Sequence, residues 1–239
     1  MNTSIILNKK VARRVLEVVD AGLVDGLGTP EPGKMCVEAA VNYALGLPHG
    51  DNPSCVGKLV RDFKVSLNDS YWSSDKARTK GMRKLAIAQL GSDTLDQDVF
   101  LKTVGFKCMT TVLPVIVENA VKEDKDNAFV KKHADGKKLL ELAKQLKKAK
   151  DFGTAKKLTQ EIRDIYSAYA NANAFAYAFA YAYASASASA YAFAYAFASA
   201  YASAKPIFTD KILNLTAKAC LDTLIEMKSP GVKWLDICN

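Results

Sequence analysis

Between residues 168 and 204 every second residue is alanine, and this run constrains the chain more than any other feature of its 239 residues. The even positions hold nineteen alanines, and the odd positions carry only Tyr, Phe, Ser and Asn, with no Gly, Pro or charge. A strict period of two is the pattern of a strand, with one face alanine and the other aromatic. The run is roughly symmetric about Ser187. Its two arms, Phe175, Tyr177, Phe179, Tyr181 and Tyr183 before and Tyr191, Phe193, Tyr195 and Phe197 after, would suit a β-hairpin or stacked strands. Residues 185–189 between them lack the Gly, Asn-Gly or Asp-Gly chemistry of a tight turn. Alanine is the strongest helix former and is depleted in strands, so the summed propensity favours one long helix, a rod of about 55 Å. On that rod the odd positions step around the whole circumference, and a helix apolar on every side must be covered on every side. The expected cover is further copies of the chain, with alanines allowing close approach and the aromatics of both arms filling the gaps, which makes the protein a homo-oligomer. A membrane is not favoured as the cover, because the Leu, Ile and Val that drive insertion are missing. Solvated disorder conflicts with so many aromatics.

The remaining sequence reads as helical, so the expected fold is all-α, a helical bundle carrying the long alanine and aromatic helix. Four parts follow: an N-terminal helical domain over 1–125, a basic helical segment over 126–166, the oligomerisation segment over 167–205, and a C-terminal helix over 206–239 packing back on the core. Leu7, Val11, Val15, Val18 and Val19 recur at helical steps within 4–22. A second helix over 35–45 ends at Gly46-Leu47-Pro48, a third covers 54–63, and 67–72 reads as irregular around Asn68-Asp69-Ser70. Ser73 or Ser74 caps the next helix, which runs to Gly91. Asp93 is placed to cap an apolar stretch over 99–121, which Pro114 should kink or divide. Lys102 and Lys107 make that stretch a core helix and not a membrane span. Lysine clusters surround a narrow stripe of Leu139, Leu140, Leu142, Ala143 and Leu146 within 127–150. Gly153 marks a turn, and the last helix, over 209–227, is capped by Thr209 or Asp210.

A net charge of +8 and a pI near 9.1 permit an anionic partner, and much of the excess falls within 131–157. An anionic small molecule or a protein is the possible partner, and for that stretch itself a solvated helix face is the plainer reading. Nucleic acid is the weaker reading, because only Phe152 interleaves with the lysines. Five scattered cysteines argue against a disulfide framework and against a zinc site, and His49 and His133 alone cannot build a metal centre. No cofactor motif is present. The N-terminal residues do not read as a secretory signal, so a reducing cytoplasm is the expected compartment.

Two small clusters could carry chemistry. Cys36 opens a helix, where backbone N–H groups lower a thiol pKa, and His49 and Asp51 follow within sixteen residues as base and orienting carboxylate, the ingredients of a cysteine-dependent hydrolase. The plainer reading is a buried cysteine and a histidine satisfying a loop carbonyl. Trp72, Ser73, Ser74, Arg78 and Arg83 gather aromatic, hydroxyl and basic groups at a helix N-terminus, where an anion could bind. Against that stands an ordinary N-cap with Trp72 as a packing anchor.

Three blocks, PGKMCVEAAVNYALGLPHGDNPSCV (residues 32–56), LNDSYWSSDKARTKGMRKLAIAQLGS (67–92) and MKSPGVKWLD (227–236), resemble a family of bacterial and phage proteins with no assigned activity. Members of that family resemble this chain also in an Ala and Tyr rich run between the second and third blocks. The resemblance implies a shared fold. Taken together, the residues point to a non-enzymatic homo-oligomer that binds or sequesters an anionic ligand or partner. The competing readings are the Cys36 hydrolase and a filament-forming structural protein.

Overall fold

The computed structural model describes residues 6–123, 135–167 and 206–239. The expectations placed on 168–204, helix or strand, and on its aromatic arms lie outside the described residues, as does His133. Among the described residues the regular structure is helical, and the all-α expectation holds; two isolated bridges, Leu23 to Met35 and Gly28 to Met35, close one loop. The chain forms two compact units, Met1–Phe100 with Cys220–Asn239, and Leu101–Ala219.

The first unit contains α1 (Lys9–Asp20), α2 (Val37–Leu45), α3 (Lys58–Asn68) and α4 (Asp75–Ala88), with the start of α5 (Gln97–Lys107) and the end of α9 (Pro206–Glu226). Asn8 caps α1, accepting from Val11 N at 3.0 Å, and Ala12, Val15, Leu16 and Val19 turn inward at three- and four-residue steps. That face packs on α2 and α4, and α2 lies in turn against α3. Each such aliphatic side chain stabilises the fold by about 2 kcal/mol on burial. A 3₁₀ segment, Pro230–Cys238, lies along α4 with Trp234 buried, and Ser229 Oγ donates to Ala88 O at 2.6 Å. Gly231 makes that approach possible, since a Cβ there would stand 2.1 Å from Ile87 O.

Several boundaries differ from the sequence reading, two of them for a visible reason. The third helix covers Lys58–Asn68 instead of 54–63, because Asn68 is a buried anchor and no turn residue. Its amide nitrogen donates to Val24 O at 2.8 Å, and its Oδ1 accepts from Val37 N at 3.3 Å. Asp96, not Asp93, caps α5, accepting from Asp98 N and Val99 N, both at 3.0 Å.

In the second unit α5 continues into a π turn, Cys108–Val112, and then α6 (Leu113–Glu123), α7 (Asp135–Leu146) and α8 (Phe152–Ser167). Pro114 has no N–H to donate, and a wider turn ahead of it relieves the clash with the preceding carbonyls. The Thr110 and Thr111 hydroxyls donate to Phe106 O at 2.9 Å and Lys107 O at 2.7 Å. α7 packs on α6 and α8 on α7, burying Leu139, Leu142, Ala143 and Leu146, while Leu140, expected in the same stripe, is exposed because it falls outside that face of the helix. Gly153 lies within the first turn of α8, whose cap is Asp151, accepting from Thr154 N at 2.8 Å. The last helix begins at Pro206, ahead of both residues expected to cap it. Among the described residues one helical run, Gln97–Lys122, is long and apolar enough to cross a membrane, and half of its most apolar window is buried inside the protein.

Candidate functional site

Cys36 occupies the N-cap of α2, its Sγ accepting from Ala39 N at 3.4 Å. Met35, Ala39 and Val18 pack around it, leaving 3% of the residue exposed. Burial pushes the thiol up to about 11, against the smaller pull of the Ala39 N–H. The lowered thiol pKa expected at a helix start is therefore reversed, since desolvation outweighs the capping bond. His49 Nε2 lies 3.1 Å from Gly28 O, and Asp51 is exposed on the same loop. Among the described residues no hydrogen bond joins Cys36, His49 and Asp51, so the structure does not bring the three together as nucleophile, base and orienter.

The second cluster is occupied by structural bonds. Trp72 is buried, donates from Nε1 to Leu67 O at 2.9 Å, and lies against Gly81, where a Cβ would approach its ring to 2.2 Å. Ser74 is the N-cap of α4, accepting from Ala77 N at 3.2 Å, while Ser73 precedes it in the turn. Arg78, 6% exposed, donates to Asn68 O at 2.8 Å and pairs with Asp75. Arg83 holds Asp20 through two bonds, at 2.6 and 2.9 Å, and Cys238 O through a third, at 2.6 Å. The cationic side chains expected to receive an anion already hold carboxylates and carbonyls. An open surface pocket of about 380 Å³ lies beside Lys9, Arg13, Glu17, Asp20 and Asp236, and Lys9 is paired there with Asp236.

A polar cluster in the interior of the first unit escaped the sequence reading. Glu38 of α2, Lys64 of α3 and Gln89 at the C-terminal end of α4 each have zero exposure. Lys64 Nζ donates to Glu38 Oε1 at 2.5 Å and to Gln89 Oε1. Burial pushes the Glu38 carboxyl up, with Lys64 and the adjacent Gln89 amide pulling the other way. Glu38 Oε2 and Gln89 Nε2 have no hydrogen-bond partner, and one turn along α2 neither has Asn42 Oδ1, although Asn42 Nδ2 donates to Gly50 O at 2.8 Å. Cys220 of α9 is fully buried within reach of the Lys64 and Glu38 charges, and burial pushes its thiol up to about 12. One signal was visible: Lys64 shares the buried face of α3 with Val60, Phe63 and Leu67.

The surface of α7 and α8 is the other charged feature. All eight lysines between residues 137 and 157 are exposed, against two acids in that span, Glu141 and Asp151. One of them, Lys147, holds Glu118 at 2.5 Å. Among the described residues no cluster of His, Cys, Asp and Glu is placed to hold a metal ion. Comparison with family models, with curated proteins and with solved structures returns no match.

Proposed function

We infer that the chain is a non-enzymatic, self-associating protein that captures an acidic partner on the lysine face of α7 and α8. The observation that supports this reading is the segregation along that pair of helices. Leu139, Leu142, Ala143, Leu146 and Ala155 fill the inner stripe, and every lysine between 137 and 157 faces solvent. Such a one-sided field draws an anionic surface from solution and weakens with salt. A hydrolase centred on Cys36 lacks a thiolate at neutral pH and lacks an aligned base. Self-association rests on the alanine run, and the bacterial or phage affiliation rests on the three sequence blocks. Five free, buried thiols fit a reducing cytoplasm.

Fluorescence anisotropy with labelled polyglutamate across a salt series tests the capture surface. Affinity should fall steadily with ionic strength, and the variant carrying Lys137→Glu, Lys138→Glu, Lys144→Glu and Lys148→Glu should lose binding at least tenfold, about 1.4 kcal/mol. Absence of binding at low salt, or equal binding by a folded variant, overturns the reading. A labelled single-stranded DNA that binds more tightly than polyglutamate would make nucleic acid the partner instead.

A further inference from the structure

We propose that Lys64 and Gln89 become joined by an intramolecular isopeptide bond inside the first unit, with Glu38 as the acid–base group. Three helices bring one amine, one carboxamide and one carboxyl to a single point with zero exposure. Lys64 Nζ is in hydrogen-bond contact with the carbonyl oxygen of the group it would attack and lies 2.5 Å from Glu38 Oε1. The Gln89 side chain is near enough to the Glu38 carboxyl to favour its charged form, so all three groups share one site. Fixing reactants in contact replaces a bimolecular encounter with a unimolecular step.

The unpartnered atoms point the same way. Gln89 Nε2 is the nitrogen that would leave, and it has no hydrogen bond; Glu38 Oε2, which could deliver a proton to it, has none either. An ion pair buried with orphaned atoms is a poor stabiliser compared with apolar packing. Conversion to a secondary amide removes the buried ammonium and one of the orphans, leaving a neutral group that the interior tolerates far better.

The step balances without a co-reactant. In the dry interior the Lys64 ammonium hands a proton to Glu38, giving a neutral amine and a neutral acid. The amine nitrogen attacks Gln89 Cδ, forming the Nζ–Cδ bond, while the Glu38 acid hydrogen-bonds the developing oxyanion. The carboxyl then takes the proton from Nζ and supplies one to Nε2, the Cδ–Nε2 bond breaks, and ammonia leaves. Ammonia leaves uncharged and Glu38 keeps the proton that Lys64 first gave up, so no unpaired charge remains in the interior.

The intact mass of the purified native chain tests this directly. The expected mass is lower than that of the sequence by one ammonia, and a tryptic digest should yield a branched peptide joining Lys64 to Gln89. A folded chain with the full sequence mass overturns the proposal. So does a deficit of one water with Lys64 joined to Glu38. Cys220 lies close enough to demand a control: a deficit abolished by hydroxylamine or by Cys220→Ser would be a thioester and would equally overturn it. Glu38→Gln, shown to be folded by circular dichroism, should keep the full mass; complete cross-linking in that variant removes Glu38 from its proposed role.

Discussion

At Cys36 two influences act on one thiol in opposite directions. The Ala39 N–H favours the thiolate, and removal from water disfavours it more, so the group titrates at about 11 and not near its ordinary 9. Iodoacetamide labelling followed by mass across pH should therefore give a Cys36 midpoint well above that of the same thiol in urea. The linkage sign follows: a folded-state pKa above the unfolded one gives stability that is complete below about pH 9 and lost as pH rises through about 11. Cys55 has the same raised value for the same reason. Unfolding free energies from urea denaturation should fall between those two pH values by up to about 3 kcal/mol for each thiol, and Cys36→Ala should flatten part of the slope. A free energy that does not move over that range would contradict the buried-thiol account. Lys64 shows why the interior cluster was hard to read at this scale. Its place on the apolar face of α3 is visible in the spacing of Val60, Phe63 and Leu67. A lysine there reads equally as a stem lying along the core with its head in water. Only the arrival of α2 and α4 turns it into a buried contact with Glu38 and Gln89.

Among the elements, those with both an apolar period and a local cap were legible. α1, α2 and α4 follow from the steps of Val15 and Val19, from Gly46 in a left-handed turn, and from Ser74. The start of α3 was misplaced because its signal lies on another element. No side chain of its own caps α3; instead Gln97 Oε1 accepts from Leu59 N at 3.0 Å, a partner 38 residues away that no local pattern reveals. Asp93 and Asp96 both precede α5, and only the turned chain decides between them. Asp96→Ala should therefore destabilise the protein by about 1 kcal/mol, with Asp93→Ala closer to neutral. Gly231→Ala should be the harsher change. Its Cβ would meet a backbone carbonyl that cannot rotate away, and about 3 kcal/mol is the expected loss in urea denaturation.

For the whole molecule the decisive quantity is the native mass in solution. Sedimentation equilibrium of the full chain should give a multiple of 26.0 kDa, and replacing the aromatics of one arm with serine should lower the multiple. A single copy at all concentrations would remove the self-associating half of the proposed role and leave the lysine face untouched. Phe100 and Cys220 are the last and first residues that the first unit claims on either side of the second. Residues 101–219 are therefore an insertion in sequence between the two stretches of the first unit. For a flexible stretch, closing a longer loop costs only about 0.6 kcal/mol per doubling of length. The first unit's own stability should therefore change little when that insertion is lengthened or shortened by a few residues, a change that urea denaturation would measure.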